Sequence, residues 1–356
     1  MLFIVPGPLN RRTGGSIYNL HLARHFEGHE FQVKVVSVPD LPYSLSTAIG
    51  LLVSPWLLIR TILFKPDVII EDLWAHPALI LFNRLTARSR LVLIAHMIRC
   101  RDPISSSLIS SKLEAAALSS AQLIIAVSRF VKQEIEGLTG RALPIVVARP
   151  GSGNEVAELP KNGESSRNGR RATDATNPLR LLFAGSCIEQ KGVQDLIEAL
   201  ALLRDLPLVL DLAGRRDIEP RFNRRLIRLV DQLGLSDTVA FRGQLDSHEL
   251  ARLYDSADIF VFPSRYEGYG MVLAEAMRAG LPIVAANNGP IAEIVANNEN
   301  ALIVPSRNSK ALAEAIRKLA EDSAMRERFA ARSRDLAKHL PSWRDTCELV
   351  REAILG

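Results

Sequence analysis

Residues 260–282 read FVFPSRYEGYGMVLAEAMRAGLP, a stretch that predicts a buried strand, a glycine-containing turn and a helix. The apolar run at its start is typical of a strand in a parallel sheet, and Gly280 and Pro282 mark the end of the helix. Gly268 and Gly270 lie where the helix begins. Because a helix N-terminus has free backbone N–H groups and a positive dipole end, this turn suits an anionic ligand.

Two carboxylates flank this turn. Glu267 precedes the helix, and Glu275 lies in its early turns. A carboxylate beside a bound phosphate is unfavourable unless it accepts hydrogen bonds from nearby hydroxyl groups, such as those of a ribose. The spacing alone is equally consistent with a surface glutamate, so it indicates a candidate site and does not yet name a reaction.

The alternation of strands and helices extends in both directions from this stretch. Short β-branched runs that do not alternate in polarity are typical of strands buried on both faces of a parallel sheet. They fall at residues 2–5, 33–38, 68–70, 91–95, 123–127, 145–148, 179–184, 208–213, 239–241, 259–262, 283–285 and 301–304, and a long helical pattern starts at Lys310. We therefore predict an α/β protein with two doubly wound Rossmann-like domains that face each other across a cleft.

The alternation is interrupted once. Residues 160–178, PKNGESSRNGRRATDATNP, contain no Leu, Ile, Val or aromatic side chain and have little to bury. We therefore predict an N-terminal domain over 1–158, a flexible linker over 159–178 and a C-terminal domain that starts at residue 179 and extends to about residue 340.

Composition and charge narrow the class of protein and its possible partners. The 356 residues are 47% hydrophobic and 23% charged, which excludes wholesale disorder. Three scattered cysteines form no paired or metal-binding spacing, so we expect free thiols and a cytoplasmic protein. The net charge is +5, and residues 1–150 carry 16 Lys and Arg against 10 Asp and Glu. This excess is too mild for nucleic acid but suits a membrane surface or an anionic substrate.

Residues 48–64, AIGLLVSPWLLIRTILF, are the most apolar segment of the first half. The segment is short for a membrane span, and Pro55 and Arg60 interrupt it. We expect an ordinary packed helix; the alternative is a helix with one face against the inner side of a membrane.

A second phosphate-binding candidate is FAGSCIEQKGVQDLIEAL, residues 183–200. Here a strand ends at Gly185 and a helix opens near Gly192. Lys191 supplies a cation just before that helix, although a solvated lysine is the ordinary alternative.

The first half of the chain contains weaker candidates for site residues. Gly14 and Gly15 precede a helix, where glycines allow close approach to a ligand, although a simple turn explains them equally well. His96 directly follows a predicted strand, at its carboxyl end. A histidine there is either a packing residue or a residue of the site.

The segment from Val239 to Val295 resembles the E-x7-E region of the retaining glycosyltransferases of family 4, also called group 1. The likeness continues through NALIVPSRNSKALAEAI and LPSWRDTCELVREAI, and so covers most of residues 179–356. In the first half, TGG, KPDVII and AVSRFVKQEI occur in the order that this family shows.

The resemblance implies a GT-B architecture, with a nucleotide-diphosphate sugar held mainly by the second domain, over 179–340. It also implies that a terminal helix over 341–356 returns to the first domain. It implies that Glu275 holds the ribose and that Glu267 contacts the sugar hydroxyls. The implied catalytic residues are Glu267, His96 and Lys191, and the implied donor-binding residues are Gly14, Gly15, Gly185, Ser186, Lys191, Glu267, Gly268, Tyr269, Gly270, Met271 and Glu275.

One position departs from this pattern. The family places an arginine just after the strand glycine, where this chain has Ser186. A hydroxyl group cannot neutralise a leaving diphosphate as a guanidinium can. Either Arg215 or Arg265 substitutes, or the chain is a catalytically weak sugar-nucleotide-binding subunit. A sugar-nucleotide epimerase of the same fold is a further alternative.

The reaction implied by the resemblance is transfer of a sugar, with retention at the anomeric carbon, to an acceptor hydroxyl. The chain contains no DxD motif, so we predict that it needs neither a metal nor another cofactor. The basic first half favours a saccharide or lipid-linked acceptor, as in the biosynthesis of envelope polysaccharides or glycolipids.

Overall fold

The computed structural model describes residues 1–9, 11, 13–28, 31–40, 43–79, 82–83, 89–101, 108–152 and 177–356. The chain forms two compact units, Met1–Gly151 with Pro341–Gly356, and Ser152–Leu340. Nearly all of the linker predicted over 159–178 lies outside the described residues. Within them, no helix is long and apolar enough to cross a membrane.

The first unit is built on a six-stranded parallel sheet with the order β2-β1-β3-β4-β5-β6. This is the flavodoxin-like order, in which the chain reverses direction across the sheet between β1 and β3. The strands are β1 Leu2–Pro6, β2 Lys34–Val38, β3 Val68–Asp72, β4 Arg90–Ala95, β5 Leu123–Ala126 and β6 Ile145–Val147. The described helices are α1 Gly14–Glu27, α2 Tyr43–Phe64, α3 Leu108–Leu118 and α4 Arg129–Thr139.

The second unit is also built on a six-stranded parallel sheet, with the order β12-β11-β10-β7-β8-β9. Counted within the unit, this is the dinucleotide-binding order, which reverses between β7 and β10. The strands are β7 Leu179–Ala184, β8 Leu208–Ala213, β9 Val239–Gly243, β10 Ile259–Phe262, β11 Ile283–Asn287 and β12 Ala301–Pro305. The helices are α5 Val193–Ala201, α6 Pro220–Gln232, α7 Ser247–Ser256, α8 Met271–Arg278, α9 Ser309–Glu321 and α10 Ser323–Ala337.

The long helical pattern that starts at Lys310 is two helices rather than one. α9 ends at Glu321, and α10 begins two residues later. Asp322 separates them because its side chain accepts a hydrogen bond from the backbone N–H of Met325 (2.8 Å) and so caps α10. An aspartate at that position offers the chain a helix start in place of a continued helix.

The last helix, α11 Trp343–Leu355, belongs to the first unit. Trp343 stacks on His21 of α1 with 4.0 Å between ring centroids. Thr346 donates a hydrogen bond to the carbonyl of Arg149 (2.7 Å). Gly151 lies so close that an added Cβ would be 2.3 Å from the backbone nitrogen of Trp343. These contacts fix α11 against the residues that follow β6.

Candidate functional site

Ligands of doubly wound sheets bind outside the carboxyl ends of the strands, where the strand order reverses. In the second unit this point lies between β7 and β10, which pair directly. The loops that leave these two strands, 185–192 and 263–270, contain both phosphate-binding candidates identified from the sequence. The topology therefore brings together two motifs that are about 80 residues apart in the chain.

These two loops are tied to each other by backbone and side-chain hydrogen bonds. The backbone N–H of Arg265 donates to the carbonyl of Gln190 (2.8 Å), and the Gln190 side chain donates to the carbonyl of Tyr266 (3.2 Å). Gly192 has φ +66°, and a Cβ there would lie 2.1 Å from the carbonyl oxygen of Pro263. Only glycine fits this position, so the contact between the loops depends on it.

Lys191 and Glu267 form an ion pair across the two loops. The hydroxyl of Ser264 donates to the same carboxylate oxygen, Oε1, at 3.1 Å. The side chain of Glu267 is 11% exposed and that of Lys191 is 23% exposed. Because the pair is partly desolvated, water screens the ammonium group little, and an incoming anion would share it with Glu267.

The next helix, α8, opens at Gly270, which has φ +99°. Glu275 lies one turn into α8 and accepts a hydrogen bond from the hydroxyl of Tyr254 on α7 (2.8 Å). Burial raises the pKa of Tyr254 well above its usual value, and the neighbouring Glu275 raises it further. Tyr254 therefore stays protonated and holds one carboxylate oxygen of Glu275 in place.

Both candidates for the missing arginine already pair with a carboxylate. Arg265 donates to both carboxylate oxygens of Asp195 (2.8 and 3.1 Å), and its side chain is 11% exposed. Arg215 makes a two-point contact with Asp217 (2.8 and 3.0 Å). Both guanidinium groups are thus neutralised by a carboxylate, and Ser186 keeps the position that the family gives to an arginine.

In the first unit the reversal point lies between β1 and β3. Gly14 and Gly15 open α1, and Thr13 caps the helix by accepting from the backbone N–H of Ser16 (3.3 Å). His96 follows β4 and lies against Gly15, because an added Cβ on Gly15 would be 3.1 Å from its ring. The fold therefore brings together the glycines and the histidine that the sequence singled out separately.

A hydrogen-bonded chain connects His96 to the interior. Its Nε2 lies 3.0 Å from Oδ1 of Asn19, whose Nδ2 donates to Oδ2 of Asp72 (2.6 Å). The other oxygen of Asp72 accepts from the backbone N–H of Trp74 (2.9 Å). Asn19 and Asp72 are 1% and 3% exposed, so this polar chain is buried on the side away from His96.

Sequence reasoning did not single out Tyr254, Ser264, Asn19 or Asp72. Asp72 carried a usable signal, since it ends β3 and the carboxyl end of a strand beside the reversal point is where ligands bind. Asn19 and Tyr254 lie inside helices among apolar neighbours, and only the packing shows which partners they meet. Within the described residues, no group of three or more His, Cys, Asp or Glu could hold a metal ion.

The two sheets and their polar residues define a protein with two Rossmann-like units, each carrying candidate site residues at its reversal point. Residues 166–336 match the sequence model of the family described as Glycosyl transferases group 1. Through its second unit, the chain is therefore similar in sequence to the glycosyltransferases of group 1.

The chain is also similar to individual curated proteins. The D-inositol 3-phosphate glycosyltransferase of Paenarthrobacter aurescens is 32% identical over 186 residues, which cover 49% of this chain and 44% of that protein. The chain is thus matched to less than half the length of this curated relative.

Solved structures match over nearly the whole chain. Sucrose-phosphate synthase from Thermosynechococcus elongatus has a TM-score of 0.85 at 20% identity, covering 99% of this chain and 98% of that one. Anabaena HepE in complex with UDP and glucose has a TM-score of 0.79 at 21% identity, covering 100% and 99%. These likenesses confirm the α/β class and the GT-B fold.

Proposed function

We propose that this protein is a retaining, metal-independent glycosyltransferase that moves a sugar from a nucleotide-diphosphate sugar to an acceptor hydroxyl. The observation that carries the proposal is the Lys191–Glu267 pair at the β7/β10 reversal point, close in sequence to the helix that opens at Gly270 and carries Glu275. A cation, a helix N-terminus and two carboxylates supply partners for a diphosphate, a sugar and a ribose.

The proposed chemistry divides among these groups. As the bond between the sugar and the diphosphate breaks, negative charge develops on the leaving group, and Lys191 with the N–H groups of 268–271 stabilises it. Glu267 binds hydroxyl groups of the sugar, and Glu275 binds the ribose hydroxyls with its carboxylate held by Tyr254. His96 contacts the transferred sugar, and Gly14 and Gly15 approach the diphosphate or the acceptor.

A thermal-shift screen against UDP-, GDP- and ADP-sugars tests the donor site. Binding of the right donor should raise the melting temperature, by an amount that follows its concentration over Kd. The variant Glu275→Gln should lose affinity for the sugar nucleotide while keeping the melting temperature of the free protein. A chain that is stabilised by none of these donors would contradict the proposal.

Metal independence has its own test. Transfer measured with purified protein should be unchanged after EDTA treatment, because Lys191 and backbone N–H groups supply the positive charge that a metal ion supplies elsewhere. Loss of transfer with EDTA and its recovery with Mn²⁺ or Mg²⁺ would overturn this part.

Ser186 favours a second candidate, a binding subunit with weak turnover. The buried pairing of Arg265 with Asp195 supports it, because this guanidinium is available only if that ion pair breaks. Arg215 and Asp217 form an exposed pair, which opens at little cost. Donor binding by calorimetry without product from any acceptor would favour this candidate. An isomerised sugar after incubation with donor alone would instead indicate an epimerase.

We also propose that the acceptor is a saccharide or lipid-linked molecule of an envelope polysaccharide or glycolipid, and that the protein works at the cytoplasmic face of a membrane. The support is the exposed face of α2. Trp56, Ile59, Ile62 and Leu63 are 44%, 59%, 68% and 79% exposed, whereas Leu57 is fully buried. A helix with this pattern lies in a membrane interface, with tryptophan at headgroup depth.

Charge on and beside α2 points to an anionic lipid surface. The helix has no Asp or Glu, and Arg60 stacks on Trp56 at 4.4 Å. Lys34 lies over the ring of Phe64 at 5.5 Å, and Lys65 follows the helix end. These cations are placed to meet negatively charged headgroups next to the inserted side chains.

Sedimentation with vesicles of phosphatidylcholine and phosphatidylserine tests this surface. The protein should bind anionic vesicles and be released at high salt, and Ile59→Asp/Leu63→Asp should abolish binding. Ile227→Asp is the matched control, since Ile227 is also exposed, at 40%, but lies on α6 of the second unit. Absence of binding, or a dimer that depends on Ile59 and Leu63, would overturn the proposal.

A further inference from the structure

The chain from Asp72 through Asn19 to His96 has only one consistent arrangement of hydrogens. A carboxylate group accepts hydrogen bonds, so the side of the Asn19 amide that faces Asp72 must be its NH₂ group. The opposite orientation would place two oxygens 2.6 Å apart. The Asn19 oxygen therefore faces His96, and Nε2 of His96 must carry the proton that it accepts (3.0 Å).

Further contacts keep this arrangement in place. The backbone N–H of Trp74 holds the second oxygen of Asp72 at 2.9 Å. The ring of Tyr18 meets the His96 ring edge-on, with 5.2 Å between centroids, and Gly15 closes one side of it. The hydroxyl of Tyr18 is itself held, because it donates to the carbonyl of Ala148 (3.0 Å). The imidazole therefore has little freedom to rotate away from Asn19.

We propose that Asn19 and Asp72 are positioning residues that hold His96 as the tautomer protonated on Nε2, leaving Nδ1 as a hydrogen-bond acceptor. Within the described parts of the chain, the hydrogen-bond and ion-pair contacts of the ring are made by Nε2, which lies 3.0 Å from Oδ1 of Asn19 and 3.5 Å from Oδ2 of Asp72. Nδ1 accepts a hydrogen bond from a hydroxyl group of the sugar; this part of the inference rests on the proposed function. Second partners of this kind commonly fix which nitrogen of a functional histidine is protonated.

The tautomer can be measured without any substrate. In full-length protein labelled with ¹⁵N-histidine, long-range ¹H–¹⁵N spectra distinguish the protonated ring nitrogen from the bare one. In mildly alkaline buffer, His96 should show a protonated Nε2 and a bare Nδ1. The signal is assigned by its loss in His96→Gln.

The variant Asp72→Asn should reverse this preference. The new amide can donate to the oxygen of Asn19, which allows the Asn19 amide to turn its NH₂ group toward His96. Nε2 then becomes the acceptor, and the population protonated on Nδ1 should rise. Asn19→Ala should remove the preference instead of reversing it.

His76 is an internal control in the same spectrum. It is buried in the same unit, its Nε2 lies 3.1 Å from the carbonyl of Leu113, and it has no contact with Asn19. Burial lowers the pKa of His76 to about 4, so it remains neutral throughout. An unchanged His76 signal shows that the first unit is folded in each variant.

Kinetics provide the second readout. Asp72→Asn should lower kcat/KM for the sugar nucleotide chosen in the thermal-shift screen by about tenfold, which is the effect of one neutral hydrogen bond. Affinity for the matching free nucleoside diphosphate, which lacks the sugar, should not change. A merely structural role would weaken both.

The tautomer measurement and the binding measurement test different claims, so each can contradict its own claim alone. His96 protonated on Nδ1 in the unmodified protein, or the same tautomer in Asp72→Asn with His76 intact, would overturn the positioning role. A protein with the expected tautomer that binds no sugar nucleotide would instead contradict the proposed function.

Discussion

The two units share the same kind of sheet but place different chemical groups at the point where the strand order reverses. Both are doubly wound parallel sheets, and in both the candidate residues lie at the point where strand order reverses. The second unit places an ion pair there, between Lys191 and Glu267, with 23% and 11% of the side chains exposed. The first unit places a buried hydrogen-bonded chain there, which ends at His96.

This difference shows what topology decides and what side chains decide. The reversal point creates a crevice outside the carboxyl ends of the strands in both units, but the residue types determine the ligand chemistry available. An ammonium group with helix N–H groups suits an anion, whereas an imidazole held in a fixed orientation with Nδ1 as acceptor suits a hydroxyl group. The following predictions test this division.

The largest effect is expected for Lys191→Ala. Removing the cation that faces the diphosphate should lower transfer by about 10² to 10³-fold, as loss of one stabilising group does at other sites of developing charge. Steady-state kinetics measure this, with Lys310→Ala as the control because Lys310 is exposed at the start of α9.

The double variant Lys191→Ala/Glu267→Gln separates two causes. Lys191→Ala leaves the carboxylate of Glu267 without its cation, which costs stability, and Glu267→Gln removes that charge. Stability should recover in the double variant while donor binding stays lost. Donor affinity that is unchanged in Lys191→Ala would contradict the assignment of the anion site to the second unit.

Two glycines with the same backbone angle provide the next comparison. Gly192 and Gly140 both have φ +66°, but a Cβ on Gly192 meets the carbonyl of Pro263 at 2.1 Å, whereas nothing lies within 4 Å of one on Gly140. Gly140→Ala should cost about 1 kcal/mol from backbone strain alone. Gly192→Ala should cost about 3 kcal/mol or more and also weaken donor binding. Equal losses in calorimetry would show that the two loops do not depend on this contact.

Glu71 is a buried acid of the first unit, and its protonation can be followed through the pH dependence of the free energy of unfolding. Burial raises its pKa from 4.5 to about 8, so the folded state keeps a proton that the unfolded state loses. Stability from this group is complete below about pH 4.5 and falls as pH rises toward 8. Glu71→Gln removes this dependence, so its advantage over the unmodified protein should grow by at most about 3 kcal/mol between about pH 5 and 7.5.

The measurement for Glu71 is specific to one unit. All three tryptophans, Trp56, Trp74 and Trp343, lie in the first unit, so tryptophan fluorescence during urea unfolding reports on it alone. His76 titrates with the opposite sign, since its lowered pKa reduces stability as pH falls from 6.5 toward 4. The difference between variant and unmodified protein cancels that contribution. A constant difference across pH would mean that Glu71 is ionised in the folded protein.

The smallest effect is expected for Tyr254→Phe. The hydroxyl of Tyr254 is 2.8 Å from Glu275, and its loss should weaken sugar-nucleotide binding about tenfold, which equals about 1.4 kcal/mol. The aromatic ring remains packed, so the melting temperature of the free protein should change little. Isothermal calorimetry with donor measures the affinity, and unchanged binding would show that Glu275 does not need this partner.

Much of the fold and part of the site could be predicted from residues alone. Short β-branched runs alternating with helical patterns identify two parallel-sheet domains, because a strand buried on both faces must be apolar throughout. β7, β8 and β10 have the predicted bounds. Glycine before a helix and a glutamate beside it marked residues 267–275, since few other residue types suit an anion and a diol together. The sequence predicts α9 and α10 as one helix, because the pattern of apolar positions continues across Asp322.

Only the tertiary structure decided which groups meet. Lys191 and Glu267 are 76 residues apart, and they form a pair because β7 and β10 are neighbours in the sheet. Asn19, Asp72 and His96 come from three separate elements, and nothing in their local sequence indicates a shared hydrogen-bonded chain. Local sequence determines backbone conformation and apolar burial through short-range forces. Polar contacts between distant residues depend on strand order and on atomic positions that are accurate to a few tenths of an ångström. Only the packed chain defines both.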